Sequence, residues 1–431
     1  MSIAVRTITE DDLPNWIRAR RTGYVQSPAV SKKELAFRRE LLDFERAQGA
    51  FDDGRCVATY RSFTQRLSVP GGASVAANAV SNVSVSATHR RRGLLSRMID
   101  RDLREAAERG DAAATLIAAE YPIYGRFGFG PATRVIEWEV DVPRAGVDPR
   151  HAGPDDGGRV DYVDVADLRE HGPALYERVR AARHGLVDRT DLWWRRNTGA
   201  LPIDDAPWTE PSAVVYRSAR GTVDGLLVFT SDDKWEAKLP HQTATVLDLV
   251  AVSPAAERAL WLFLLSVDWI TSVRTGYRAP DDLLPDLLPD PRAARVVTHA
   301  DLLWLRPLDV PALLEARTYP VAGSLVLDVT DPAGPGGSSG SFSSANSSGP
   351  SGPAAGRFLL DAGPDGATCT RTARPADLTL PAAALGSLFL GDESAVRLAA
   401  LGRVTEQRPG AAGRADALLR TGRRPWCADI F

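Results

Sequence analysis

Three consecutive arginines and a glycine stand where a strand turns into a helix, and this is the spacing with which a chain can hold a phosphate. The run Ala87-Thr88-His89-Arg90-Arg91-Arg92-Gly93-Leu94-Leu95-Ser96 follows an alternating strand, Val83-Ser84-Val85. It opens onto a helix with Leu94, Leu95, Met98, Ile99 and Leu103 at three- and four-residue spacing, closed by Gly110. Unpaired N–H groups of the first helical turn would meet the guanidinium groups at one point, and Gly93 lets a bulky anion come close. Such a point attracts a pyrophosphate. A solvated basic surface turn has the same composition, and the turn alone leaves both readings open.

A second group lies downstream. Ala112 to Ala119 reads as a small-residue, buried strand that feeds Glu120-Tyr121-Pro122-Ile123-Tyr124-Gly125-Arg126-Phe127-Gly128-Phe129-Gly130, a tight turn with a short return strand. Tyr124 is either a packed aromatic with its hydroxyl satisfied or a general acid. A phenol with a pKa of roughly 10 is matched to protonating a thiolate expelled from a thioester.

These groups need an α/β frame to position them. Helices are predicted over Leu13 to Arg20 and Lys32 to Gln48, with strands at Cys56 to Phe63 and Val75 to Val85. A Pro/Gly/Asp cluster near 147–158 closes this first unit, residues 1–150. A second unit, 151–305, repeats it in outline: Val250 and Val252 fall where Val83 and Val85 fall, ahead of a helix from Glu257 to Ile270. It has no arginine run, and Leu260 falls where Gly93 would be, so the copy is expected to be degenerate, with its phosphate site lost. A third unit, 306–431, starts with a helix from Val310 to Ala316 and has strands at Ser324 to Val329 and Arg357 to Leu360. The intervening 332–356, nearly all Gly, Ser, Pro and Ala, is predicted to be a disordered insertion.

With 431 residues, two or three domains are expected, and 25% charged with 44% hydrophobic residues is a globular composition. A net charge of −3 argues against nucleic acid as a partner. No apolar run reaches membrane-spanning length, and no signal-peptide pattern opens the chain. The cysteines Cys56, Cys369 and Cys427 are scattered, which suits a reducing compartment and gives no metal-ligand spacing, so no metal is expected. The ending Pro425-Trp426-Cys427-Ala428-Asp429-Ile430-Phe431 is apolar where chain ends are usually polar, so it should dock.

The order strand, Arg-Arg-Arg-Gly-Leu-Leu turn, helix, strand and Ile123-Tyr124-Gly125-Arg126-Phe127-Gly128-Phe129-Gly130 resembles the GNAT superfamily of acetyltransferases. More narrowly, Leu95 two places after Gly93 and the terminal Phe431 resemble the Eis family. The resemblance covers nearly the whole chain. It implies two tandem GNAT folds, the second degenerate, and a C-terminal sterol-carrier-protein-like α+β domain. It implies an acetyl-CoA-dependent N-acetyltransferase with Val83, Ser84, Val85, Arg91, Arg92, Gly93, Leu94, Leu95, Ser96, Ala119 and Glu120 at the cofactor. Tyr124 would be the general acid and the Phe431 α-carboxylate the general base. The implied acceptors are amines of aminoglycosides, polyamines or lysine side chains, with Asp429 and Glu120 as acidic candidates by position. A cytoplasmic homohexamer is also implied. The competing reading is an apolar-ligand or CoA-binding protein with a vestigial transferase domain. Intact Gly93, Tyr124 and Phe431 speak against it.

Overall fold

The computed structural model describes residues 3–148, 153–201, 203, 208–331 and 352–431. The first unit runs β1 (Ala4–Thr7), α1 (Leu13–Gly23), α2 (Lys32–Leu41), β2 (Ala47–Asp52), β3 (Arg55–Ser68), β4 (Ser74–Val85), α3 (Leu94–Glu108), β5 (Ala113–Ile117), α4 (Tyr121–Tyr124), β6 (Gly130–Pro131) and β7 (Arg134–Asp141). The helix predicted to reach Gln48 ends at Leu41. The Asp43 carboxylate accepts the Glu45 N–H at 3.0 Å and winds Phe44–Arg46 into a 3-10 turn. The chain from Ala47 is then free to pair as β2 with both β1 and β3.

The second unit runs α5 (Val142–Ala145), β8 (Arg159–Val163), α6 (Val165–Ala182), α7 (Asp191–Asn197), β9 (Ser212–Arg217), β10 (Val223–Ser231), β11 (Trp235–Glu236), β12 (Leu239–Pro240), β13 (Gln242–Ala251), α8 (Pro254–Leu265), β14 (Ile270–Arg274), α9 (Leu284–Leu287), β15 (Ala294–Asp301) and β16 (Leu303–Pro307). Two seven-stranded sheets result, in the orders β1-β2-β3-β4-β5-β16-β6 and β15-β7-β14-β13-β10-β9-β8. Each is antiparallel except for one parallel pair, β4 with β5 and β13 with β14, joined through α3 and α8. The repeat is therefore real, but the units exchange strands: β7 is a strand of the second sheet and β16 of the first.

The third unit contains α10 (Val310–Glu315), β17 (Gly323–Thr330), β18 (Gly356–Gly363), β19 (Gly366–Arg371), β20 (Leu378–Pro381), α11 (Ala382–Phe389), α12 (Ala395–Ala400), β21 (Thr405–Glu406) and α13 (Ala411–Leu419). Its sheet has the order β19-β18-β17-β20-β21. Helix α11 lies on the β16–β6 edge of the first sheet without a gap. A Cβ on Gly130 would come within 1.9 Å of the Ala383 carbonyl oxygen, and one on Gly386 within 2.2 Å of that of Leu305. One apolar core runs through both, from Leu67 and Val75 to Leu385 and Phe389.

Most of the predicted insertion, 332–351, lies outside the described residues. Its last part is packed, contrary to expectation. Gly352 N–H donates to the Asp331 carbonyl at 2.7 Å, Ala354 is fully buried with its N–H on the Asp331 carboxylate at 3.1 Å, and Gly356 opens β18. The small residues read as a sign of disorder are those that fit here: a Cβ on Gly352 would be 2.2 Å from the same carboxylate. Among the described residues no helix is long and apolar enough to cross a membrane.

Candidate active site

Strand β4 holds two neighbours for only part of its length. Ala77–Val80 pair with Ala113–Leu116 of β5, whereas pairing with β3 continues to Val85. β5 ends at Ile117, so the side of β4 from Ser81 to Val85 that faces β5 is left without a strand partner. A bulge lies in this stretch: the register with β3 shifts between Thr59 and Arg61, and Asn82 has φ 52°. The Thr59 hydroxyl closes it by donating to the Asn82 carbonyl at 2.8 Å. Past the bulge, Ser86 N–H donates to the Val57 carbonyl at 2.8 Å. Strand alternation then turns the Val85 N–H away from β3, to the open side. A free row of backbone polar groups of this kind can pair with an extended amide-bearing arm.

The basic turn lies beyond this open edge. Arg91 (φ 62°) and Gly93 (φ 69°) are both left-handed, and Gly93 is the N-cap of α3 with no side-chain bond to the helix. The N–H groups of Leu94, Leu95 and Ser96 are thus the unpaired ones of the first turn. Arg91, Arg92 and Gly93 are exposed, Leu94 is buried, and Leu95 and Ser96 are half-buried. The imidazole of His89 pins the turn to the end of β2, with Nε2 3.0 Å from Asp52. Nothing lies within 4 Å of a Cβ built on Gly93, so its space and its backbone fit a diphosphate. Ala119 and Glu120 follow β5 and are exposed.

Tyr124 ends α4, 9% exposed, in one apolar cluster with Val83, Val85, Leu94 and Phe129. No described residue hydrogen-bonds its hydroxyl. Burial, with smaller contributions from Tyr24 and Glu120, pushes its pKa up to about 12. Tyr24 follows α1, which is held against β4 so closely that a Cβ on Gly23 would be 2.4 Å from that of Ser84. Burial raises the pKa of the Tyr24 hydroxyl and the Arg20, Arg38 and Arg61 guanidinium groups oppose it in part; sequence reasoning did not find this group. The one local signal is an arginine, Arg61, inside the buried run Cys56 to Ser62 of β3.

The apolar tail docks across the second unit. Trp426 N–H donates to the His184 carbonyl at 3.1 Å and its indole N–H to that of Tyr277 at 3.1 Å. Asp429 is buried and accepts from Arg189 at 3.0 and 3.2 Å and from the Tyr176 hydroxyl at 3.0 Å. It is committed there, which removes it as an acidic contact for an acceptor. Phe431 returns to the first sheet, its ring edge-on to Phe63 of β3 at 5.8 Å. Among the described residues its carboxylate forms no ion pair.

The second unit has lost the corresponding features, for a different reason than expected. Leu260 is buried mid-helix in α8, and the N-cap is Ser253. Ser253 Oγ takes the Ala256 N–H at 3.2 Å, and Pro254 in the first turn has no N–H to offer. Beside β13, where β14 has ended, the buried Arg278 donates to the Leu249 carbonyl at 2.6 Å and pairs with Asp282 at 2.8 Å.

Comparison with known proteins matches three stretches of the chain. Residues 4–132 and 185–307 each match a model described as an acetyltransferase (GNAT) domain, and 310–428 match a sterol carrier protein domain. An uncharacterized N-acetyltransferase of Streptomyces avermitilis is 58% identical, with 100% of this chain and 99% of that protein covered. The N-acetyltransferase Eis of Mycobacterium bovis is 32% identical, with 97% and 96% covered. The crystal structure of Eis1 from Mycobacterium abscessus superposes over 100% of both chains with a TM-score of 0.81 at 33% identity.

Proposed function

This chain belongs to the Eis family of GNAT N-acetyltransferases, and on that premise we propose how its own residues carry the transfer. GNAT acetyltransferases use acetyl-CoA, and here the N–H groups of Leu94, Leu95 and Ser96 with Arg91 and Arg92 would hold the diphosphate. Val83, Ser84 and Val85 would pair with the pantetheine arm, flanked by Ala119 and Glu120. What the cofactor supplies is an acetyl thioester.

The outward Val85 N–H would donate to the thioester carbonyl oxygen as charge builds there. An amine of the acceptor, in its neutral form, attacks the carbonyl carbon directly. The Phe431 carboxylate takes the proton that the amine gives up, through water where it cannot reach. Tyr124 gives its proton to the departing sulfur. Burial lifts the Tyr124 phenol to about 12, above the value of roughly 10 that matches a thiolate; it stays protonated through the working range but is a weaker acid than the free phenol. By the family resemblance the acceptors are polar amines of the aminoglycoside, polyamine or lysine type, and the assembly is a homohexamer.

The observation that carries this reading is the meeting of the unpaired β4 edge with the uncapped start of α3 in the first unit alone. Calorimetric titration with CoA tests it: one site per chain is expected, and thiol release from acetyl-CoA should require an added amine. Two sites, or no binding, would refute it.

A further inference from the structure

Among the described residues nothing polar aims the Tyr124 hydroxyl. The place of its oxygen is set by the apolar packing of the ring and by the backbone that carries it. That backbone is short. Helix α4 has four residues and no side-chain cap at Glu120, and it runs straight into the 3-10 turn Gly125–Phe127. Gly128 N–H donates back to the Gly125 carbonyl at 3.1 Å, and Phe129 N–H to the Tyr124 carbonyl at 3.3 Å. A helix of this length does not sustain itself.

The hold comes from another strand. Arg306 on β16 donates from Nη1 to the Phe127 carbonyl and from Nη2 to the Asp331 carboxylate, the latter at 3.0 Å. Both side chains are buried, that of Asp331 completely. Asp331 follows β17 in the third unit, where its carboxylate also accepts the Ala354 N–H at 3.1 Å. Gly128 (φ 80°) leaves room for this arrangement, because a Cβ there would collide with Nη1 of Arg306. One guanidinium thus ties the turn that carries the tyrosine to the third unit.

Stability alone is a poor reason for this pair. Arg306 Nε and Asp331 Oδ1 are buried without a partner, and a buried ion pair gains little over apolar side chains of the same volume. Apolar side chains could not supply a planar donor fork aimed at the Phe127 carbonyl. That carbonyl lies three residues beyond Tyr124, so a shift of the turn moves the phenol with it.

We propose that Arg306, held by Asp331 of the third unit, is a positioning residue for Tyr124: it fixes the turn so that the phenol oxygen stays at the departing sulfur. This rests on the reading of Tyr124 as general acid. It gives the third unit a part in the proton transfer to sulfur, apart from the chain end it delivers to the first sheet.

The test is kcat for thiol release from acetyl-CoA by the full-length protein, with the fastest of spermidine, kanamycin and a lysine peptide as acceptor. Arg306→Met and Asp331→Asn should each lower kcat by about 10–100-fold, with KM for acetyl-CoA unaltered. Arg306→Lys should keep part of the rate, since an ammonium can serve the carboxylate or the carbonyl but lacks the fork. Added to Tyr124→Phe, Arg306→Met should cost less than about twofold more, because the group it positions is gone. A further tenfold loss in that double variant would overturn the proposal, because Arg306 would then act on the fold as a whole. A second readout needs no turnover. 3-Fluorotyrosine in place of Tyr124 should give one fluorine resonance, which Arg306→Met and Asp331→Asn should broaden or split. A resonance unchanged by both would overturn the proposal whatever the rates. Full activity of Tyr124→Phe alone would defeat the general-acid reading, and the fluorine spectrum would still judge the hold on the turn. If Arg306→Met does not fold, Arg306→Lys and Asp331→Asn, which keep the volume, take its place in both measurements.

Discussion

The guanidinium of Arg189 holds the carboxylate of Asp429, two residues before the chain ends, at 3.0 and 3.2 Å. Its other edge grips Asp248 of β13 at 2.6 and 3.1 Å, and the rings of Trp193 and Tyr176 cover it at 3.8 and 4.0 Å. The proposed base is thus anchored from the unit that has lost its own cofactor features. Arg189→Met would leave two carboxylates without their cation, at a cost of roughly 3–5 kcal/mol. Thermal unfolding should show that loss, and thiol release should fall with it.

A tag added after Phe431 should remove most turnover while leaving CoA affinity and unfolding temperature nearly unchanged. Phe431→Leu should be milder, because the carboxylate survives. Full activity with the tag would eliminate the carboxylate as base.

Tyr124→Phe should lower kcat by about 10²–10⁴-fold with CoA affinity unaltered, as measured by steady-state kinetics and titration. The pH dependence has a definite sign. The folded pKa, near 12, lies above the unfolded value, so the protonated form and its stabilising contribution are complete below about 10. That contribution is lost as pH rises from there through 12. A pH–rate profile should therefore show no falling limb from Tyr124 below pH 10.

Gly93→Val should raise the Kd for CoA by at least about tenfold. The clash is conformational: the added Cβ meets open space, but φ 69° is left-handed and disfavours a β-branched residue. Gly93→Asn, which tolerates that region, should bind better than the valine variant in the same titration.

Gly130→Ala should destabilise the chain by roughly 1–3 kcal/mol, because its methyl meets the carbonyl of Ala383 on α11. Gly413→Ala, in α13 with nothing within 4 Å, is the control and should not destabilise. Equal unfolding temperatures for the two variants would mean that α11 can move off the sheet at little cost.

The parts legible in the sequence were local. The start of α3 at Leu94 is written in Arg92-Gly93 and the leucine spacing, and the turn at Tyr124 in its flanking glycines. Leu260 was misjudged because equal turn lengths were assumed. Ser86–Gly93 separate β4 from α3, whereas only Val252 and Ser253 separate β13 from α8. The apolar tail announced that it docks, but its partner Arg189 lies 240 residues away, where no periodicity reaches. Arg306 is hidden for the same reason: its place in β16 says nothing of Phe127, 179 residues away, whose carbonyl it holds.

The strand exchange has a consequence for the newborn chain. When β5 has emerged from the ribosome, the strand that covers its edge, β16, has not yet been synthesised, and β7 waits for β14 and β15 of the second sheet. The first half of the polypeptide therefore carries a bare edge of Ala113–Ile117 until residue 307 is available, and an unpaired Arg134–Asp141 until β14 and then β15 follow. Such edges invite pairing with the wrong chain. Neither half can be finished without the other, so the first unit closes its sheet only after the second has been made.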